Sequence, residues 1–236
     1  MKKTNDDTKA FANWSHEWKG ARKINDPEKI LALWTKYENM PRRWKREIWE
    51  GEAGFRKKND NKDKGEQCIE KGLLKPRSNG ISLIFPHQPK SACQLEAFYN
   101  NLPLANQRPG QVLADAFGVL ITGQVVRPIF IEVKVTDHNP WYALVQNLQQ
   151  IRLGRACPEE VKNLAKKHTS HKDVARGSWG LILAPQSYYR KHSSILAKCK
   201  PLLAILKDRT RARVAFGISD YLPDGKIEII DSNWSV

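Results

Sequence analysis

Two apolar runs joined by a short turn constrain the fold of this 236-residue chain more than any other feature. Residues 113–122 and 129–135 are rich in β-branched side chains, and the turn residues 122–124 separate them. Short apolar runs bounded by turn residues are typical of buried β-strands. The sequence therefore predicts a β-hairpin near the centre of the fold.

Three charged residues interrupt these apolar runs: Asp115, Glu132 and Lys134. Side chains alternate faces along a strand, so Glu132 and Lys134 share one face. Charges in such surroundings are costly to bury unless they meet partners, a metal ion or a substrate. If the two strands form a hairpin, Asp115 lies across from the other two residues, and two carboxylates and one ammonium converge.

Two carboxylates with open water positions suit Mg²⁺, which prefers oxygen ligands and keeps several waters; we expect Mn²⁺ to substitute for it. A metal held there activates a water molecule and neutralises charge that develops on phosphate oxygens. A lysine beside the carboxylates can hold that water in place. The three residues therefore indicate metal-dependent chemistry on a phosphate group.

The pattern Asp115, sixteen intervening residues, then Glu132-Val133-Lys134 resembles the PD-(D/E)xK superfamily of nucleases. The resemblance implies phosphodiester hydrolysis, with Asp115 and Glu132 as metal ligands and Lys134 as the water-orienting base. It also implies a restriction-endonuclease-like fold. One departure is Ala114, which stands where the family carries a proline.

The same resemblance implies two further site residues. Relatives often carry a glutamate on the helix before the aspartate strand, which points to Glu96 as a third metal ligand. Many also carry a glutamine or lysine on the helix after the lysine. There Gln149 flanks the apolar stripe and Gln150 lies nearly opposite it, so Gln149 is the predicted catalytic residue. A solvated position on a helix surface is the alternative for both Glu96 and Gln149.

The predicted elements around the motif follow the order of the resembling fold. We expect an α/β core from residue 66 to residue 236, with a mixed central sheet flanked by helices. Asn139-Pro140 is a typical helix start, and Gly154 ends the apolar periodicity that follows it. A strand at residues 80–85 is expected to be peripheral. The other expected elements are helices at 91–102 and 192–207 and strands at 179–184, 213–219 and 226–230.

Residues 1–65 are predicted to form a separate helical segment that is basic and rich in tryptophan. Five of the eight tryptophans lie within the first fifty positions, and helical spacing there favours packing over stacking on bases. Arg42 and Arg43 lie in a basic stretch that we expect to contact nucleic acid.

The chain carries a formal net charge of +15, which indicates a polyanionic partner. Residues 155–213 hold 14 Lys or Arg against 4 Asp or Glu, so the excess is local. Backbone phosphates of double-stranded DNA are the expected target, and binding should weaken steeply with salt. The predicted contacts from this region are Lys162, Lys166, Lys167, Lys172 and Arg176. A merely soluble basic surface is the alternative.

Other features narrow the class of protein. No signal peptide or membrane-spanning run is evident, so a cytoplasmic protein encoded by a bacterium or phage is expected. The four cysteines show no zinc or disulfide spacing, and no Gly-rich phosphate loop of the P-loop kind is present.

The resemblance, taken with the basic charge, therefore implies a Mg²⁺-dependent endodeoxyribonuclease of the restriction type that acts as a homodimer. A repair or recombination nuclease of the same fold is one alternative. A non-catalytic nucleic-acid-binding protein is another. A third is an unrelated basic α/β protein in which Glu132 and Lys134 merely pair.

Overall fold

The computed structural model describes residues 5–36, 64–75, 77, 80–86, 93–105, 112–136, 138–169, 173–220 and 225–234. Within these ranges the helices are α1 (Asn5–Ala21), α2 (Pro27–Lys36), α3 (Lys64–Leu73), α4 (Pro140–Ala156), α5 (Pro158–Lys166), α6 (Gln186–Lys191) and α7 (Ser193–Arg209). The strands are β1 (Ile81–Ile84), β2 (Cys93–Ala105), β3 (Val112–Thr122), β4 (Val125–Val133), β5 (Trp179–Ala184), β6 (Val214–Ile218) and β7 (Lys226–Ser232).

These strands form one closed barrel in which they follow each other in chain order. The pairs β1–β2, β2–β3, β3–β4 and β6–β7 are antiparallel. The pairs β4–β5, β5–β6 and β1–β7 are parallel. The predicted hairpin is β3–β4, which pairs Thr122 with Val125 around the expected turn. Strand β5 also has the predicted bounds.

The predicted restriction-endonuclease-like architecture, an open mixed sheet between helices, is wrong. Strand β1, which we expected to be peripheral, pairs with β2 along one edge and with β7 along the other. A strand that bonds to the first and last strands of a sheet leaves no free edge there, so the sheet closes on itself. The architecture is a mixed seven-stranded barrel with flanking helices in the described part of the chain.

The predicted helix at residues 91–102 is also wrong, because strand β2 occupies residues 93–105. Its register against β3 shifts between Ala97 and Tyr99, where the strand carries an extra residue. Such a bulge breaks the alternation of side chains between the two faces. The apolar residues before and after it are therefore spaced as they would be on a helix.

Two buried clusters show how the barrel is packed. The first, which we call the inner cluster, contains side chains from all seven strands. It includes Leu95, Ile131 and Leu183 together with Leu73 of α3. The second, the outer cluster, joins the opposite faces of the strands to α1, α2, α4 and α7, and Phe130 and Leu148 are among its members. Helix α4 is thus buried on all sides between the barrel and other helices, and its buried residues include Asn147, Gln149 and Gln150 as well as apolar ones.

Helix α4 begins as predicted: the Asn139 side chain accepts a hydrogen bond of 2.9 Å from the Tyr142 N–H, and Pro140 follows. It continues two residues beyond Gly154. The expected helix at 192–207 is α7, and a short helix, α6, precedes it.

The described N-terminal helices share the core of the barrel domain. Trp14, Trp18 and Trp34 are buried in the outer cluster, as the packing interpretation predicts. The Trp141 indole donates to the Ala21 carbonyl and ties α4 to α1. The domain boundary at residue 65 stays a prediction. Among the described residues, no helix combines the length and apolar character needed to cross a membrane.

Candidate functional site

Asp115 and Glu132 meet where β3 and β4 separate. The last pair of the hairpin is Ala116 with Ile131. Beyond it, the Val133 N–H donates to Asp115 Oδ2 at 2.9 Å instead of to a backbone carbonyl of β3. The side chain of Asp115 is thereby fixed beside the carboxyl end of β4. On the other side of β4, the Lys134 N–H donates to the Leu183 carbonyl of β5.

Lys134 lies between the two carboxylates. Its Nζ is 2.5 Å from Glu132 Oε1 and 3.8 Å from Asp115 Oδ2. Glu132 is fully buried, and Asp115 and Lys134 are 6% and 8% exposed. The predicted convergence of two carboxylates and one ammonium is therefore present, in surroundings that nearly exclude water.

Burial and mutual charge shift the proton equilibria of this cluster. Burial raises the pKa of Glu132 to about 8, and repulsion from Asp115 adds to the rise against the attraction of Lys134. Burial alone would lower the pKa of Lys134, but Glu132 and Asp115 together outweigh it and hold that pKa above its usual range. The lysine therefore keeps its proton, whereas the raised pKa of Glu132 means that the charged form of this carboxyl group is costly in its buried position.

Gln150, and not Gln149, completes the cluster. The Gln150 amide donates to Glu132 Oε2 at 2.7 Å and to the Leu113 carbonyl at 2.9 Å. Asn147 donates to Gln150 Oε1 at 3.0 Å and so fixes the orientation of the amide. Gln149 instead accepts a hydrogen bond from Arg22 of the N-terminal segment. Because α4 is buried all around, the side opposite its apolar stripe faces the barrel rather than solvent.

Helix α3 brings two acidic residues that were not predicted. Glu70 is fully buried, and its Oε2 accepts a hydrogen bond of 3.0 Å from Asn100, which pairs in register with Ala116 beside Asp115. Glu66 attracts the charge of Lys134. The spacing of four residues places both glutamates on one helix face, which also bears Leu73. A glutamate within the apolar face of a helix is the sequence signal that would have identified Glu70.

Tyr188 is a further neighbour that was not predicted. It lies on α6, directly after β5, and is 2% exposed. Burial raises the pKa of its hydroxyl above the usual range, and the charges of Lys134 and Glu132 also act on it. The hydroxyl has no hydrogen-bond partner among the described residues. No sequence pattern distinguishes this tyrosine from its neighbour Tyr189.

The structure does not bring Glu96 to the cluster. Glu96 lies on β2 and pairs with Val119, four residues along β3 from Asp115. That separation corresponds to roughly 13 Å of strand. The prediction of Glu96 as a third metal ligand assumed a helix at residues 91–102, where the structure has strand β2.

The predicted nucleic-acid contacts lie elsewhere in the chain. Lys162 and Lys166 belong to α5, and the exposed Lys167 follows it. Arg176 is exposed, and its guanidinium is 3.1 Å from Glu159. Arg42, Arg43 and Lys172 lie outside the described residues.

The donor set defines what the cluster can hold. In the described part of the chain, no group of three or more His, Cys, Asp or Glu side chains is arranged as a metal site. Asp115 and Glu132 are the oxygen ligands that could hold a cation such as Mg²⁺, which commonly takes its remaining ligands from water and substrate phosphate. In this structure the ammonium of Lys134 lies between them. They do not fit a closed structural zinc site, which needs four protein ligands.

Comparison with known proteins gives no family for this chain. No family model matches its sequence, and no characterised protein or solved structure shows significant similarity to it.

Proposed function

We propose that this protein is a Mg²⁺-dependent nuclease that hydrolyses phosphodiester bonds in DNA, with Mn²⁺ as a substitute metal. The observation that carries the proposal is the buried convergence of Asp115, Glu132 and Lys134 at the carboxyl end of β4. Ligand sites on parallel strands commonly lie beyond this end, where loops and helix starts are available. In its local motif the site resembles PD-(D/E)xK nucleases, without their open sheet.

Each residue has a distinct role in this proposal. Asp115 and Glu132 would hold the metal, which supplies an activated water and neutralises charge on the phosphate oxygens. Lys134, which keeps its proton in this environment, would hold the attacking water or a phosphate oxygen by a charge-assisted hydrogen bond. Gln150 is a positioning residue, because it orients Glu132 and does not itself face solvent.

The charge of the chain supports the proposed partner, and the resemblance to restriction-type nucleases supports the proposed setting. A net charge of +15 favours a polyanion, and duplex DNA is the proposed substrate. Cleavage of both strands is most simply performed by two copies, so a homodimer belongs to the proposal. Restriction of DNA in the cytoplasm of a bacterium, by a bacterial or phage-encoded enzyme, is the proposed setting.

A second candidate is a nucleic-acid-binding protein without catalysis. It is favoured by the pairing of Lys134 with Glu132, since the ammonium already takes one oxygen of that carboxylate. In such a protein, Asp115 and Glu132 would bind no divalent ion. Metal binding therefore distinguishes the two functions.

Our first prediction concerns metal-dependent cleavage. Full-length protein incubated with long duplex DNA of mixed sequence should produce fragments with Mg²⁺ and none with EDTA, as seen on a gel. Asp115→Asn should lower the cleavage rate by more than about 100-fold, since loss of a ligand should exceed the 10–100-fold effect of losing a residue that orients one. The variant keeps an oxygen that can accept from the Val133 N–H, so we expect it to fold.

The matched control is Asp173→Asn, which removes the same charge at an exposed position outside the cluster. It should cleave like the unmodified protein. Equal cleavage by the Asp115 and Asp173 variants would overturn the nuclease proposal. Salt-sensitive DNA binding without cleavage, and without Mg²⁺ binding by calorimetry, would establish the non-catalytic alternative.

A further inference from the structure

A basic groove lies at the opposite end of the parallel strands from the carboxylates. It has a volume of about 900 Å³, and its walls include Trp179 at the start of β5 and residues from the ends of α4 and α7. Six cationic side chains line it: Arg127, Arg155, Arg176, Lys207, Arg211 and Arg213. Asp208 is the one acidic residue among the described residues that line it.

Hydrogen bonds to the backbone hold two of these cations in place. Arg155 donates to the Thr210 carbonyl at 2.6 Å, and Arg213 donates to the carbonyls of Lys207 and Ala212. For Arg213, these carbonyls orient the guanidinium but carry no net charge to offset it. The pair formed by Arg176 and Glu159 is largely exposed, so its strength is small. The groove therefore keeps a strong positive potential, which an anion would relieve.

Two further observations mark the groove as a binding site. Ser178 lines it and is 2% exposed, and its hydroxyl has no hydrogen-bond partner among the described residues. A buried polar group left unsatisfied costs free energy that a ligand can recover. Arg211 has a φ of 56°, a left-handed conformation that disfavours arginine and favours glycine. Because the backbone at this position favours glycine, we infer that arginine is present at residue 211 for the positive charge that it adds to the groove.

The chemistry of the groove fits phosphate groups in series. Guanidinium groups bind phosphate oxygens through two parallel hydrogen bonds, and here five arginines and one lysine surround one space. That many cations exceed what one isolated phosphate can engage. Arg127 is also held over the Trp179 ring at 5.1 Å, which fixes its direction.

We propose that this groove binds the phosphodiester backbone of a nucleic acid, at a place separate from Asp115, Glu132 and Lys134. The identity of the ligand rests on the proposed function, whereas the anion binding itself does not. The groove would hold a part of the strand away from the bond that is cut. The proposal thus assigns the phosphate binding expected of the basic region 155–213 to one groove, and it adds Arg127 of β4 to the predicted contacts.

The experiment is fluorescence anisotropy of labelled duplex DNA with the full chain, in EDTA, across a series of salt concentrations. The groove variant is Lys207→Ala with Arg211→Gly. It should weaken binding and lower the steepness of log Kd against log salt by about 2, since each lost phosphate contact removes about 1. Glycine suits the backbone at residue 211, so the melting temperature should not fall.

The matched control is Lys29→Ala with Lys198→Ala, which removes the same charge from exposed positions outside the groove. An equal change of slope in both double variants, an unchanged slope in the groove variant, or no DNA binding by the unmodified protein would each overturn the proposal. EDTA prevents cleavage, so this assay measures binding separately from the cleavage assay. If the groove variant binds DNA more weakly but the unmodified protein does not cut DNA with Mg²⁺, the nuclease proposal alone is overturned. If the protein cuts DNA and the groove variant binds DNA as well as the unmodified protein does, the groove proposal alone is overturned.

Discussion

At the scale of single residues, the carboxylate of Glu132 is divided between two donors. Lys134 takes one oxygen and Gln150 takes the other. A metal ion that binds Glu132 must therefore compete with the ammonium of Lys134, since Gln150 is anchored to the Leu113 carbonyl. Release of Lys134 by the metal would free the lysine to meet water or phosphate, which couples metal binding to the positioning of the lysine.

The two adjacent glutamines on α4 provide a test of this arrangement. We expect Gln150→Met to lower the cleavage rate by roughly 10–100-fold, the range found when a residue that orients a metal ligand is lost. Gln149→Met should leave the cleavage rate nearly unchanged, because it removes only the hydrogen bond to Arg22. The measurement is the initial rate at saturating Mg²⁺, with melting temperatures measured in parallel. A larger loss for Gln149→Met would favour the prediction made from sequence.

At the scale of elements, the contact between β2 and β3 depends on the absence of a side chain. A Cβ at Gly118 would lie 2.0 Å from the Glu96 carbonyl oxygen, next to the bulge of β2. This atom belongs to the backbone, so it cannot rotate away. The bulge and Gly118 are thus two parts of one close approach.

We therefore expect Gly118→Ala to destabilise the fold by about 1–3 kcal/mol or more, as overpacking does. Gly20→Ala is the control: a Cβ there meets nothing within 4 Å, and α1 should gain up to about 1 kcal/mol. Urea denaturation of the two variants should shift the midpoints in opposite directions. Equal midpoints would mean that β2 and β3 are further apart at this place.

How well the elements could be predicted depends on how local their signals are. The hairpin β3–β4 and the start of α4 were predictable, because Gly123 and the pair Asn139-Pro140 act within their own segments. Strand β2 was not, since its bulge reproduces helical spacing. The orientation of Gln150 could not be predicted from the sequence, because the burial of α4 on all sides depends on helices distant in sequence.

At the scale of the whole molecule, the fold depends on a contact between distant segments. Strand β1 joins β2 to β7, and its pairing with β7 connects residues 144 positions apart, such as Leu83 and Ile227. The sequence periodicity of β1 and β7 does not predict that these two strands pair, because any exposed strand edge offers the same hydrogen-bonding groups. The closure of the barrel was therefore outside what one sequence reveals.

The reaction rates of the four cysteine thiols test whether the barrel is packed as described. Burial raises the pKa of Cys93 to about 11 and that of Cys199 to about 12, while Cys157 is buried and Cys68 is exposed. Thiolate is the reactive form, so at pH 8 one thiol of the four should react rapidly with a disulfide reagent. All four should react rapidly in denaturant. Two or more fast thiols in the native protein would contradict the described packing around Cys93 and Cys199.

The arrangement of β4 also sets a length scale. Arg127 in the basic groove and Glu132 in the carboxylate cluster are five residues apart on this strand, a separation of about 17 Å. That distance equals about five base steps of a duplex. Under the two proposals, a nucleic acid shorter than this would reach only one end of the strand, whereas a longer one could bind in the groove while a bond near Glu132 is cut. The length of β4 would then set the shortest substrate that can use both sites.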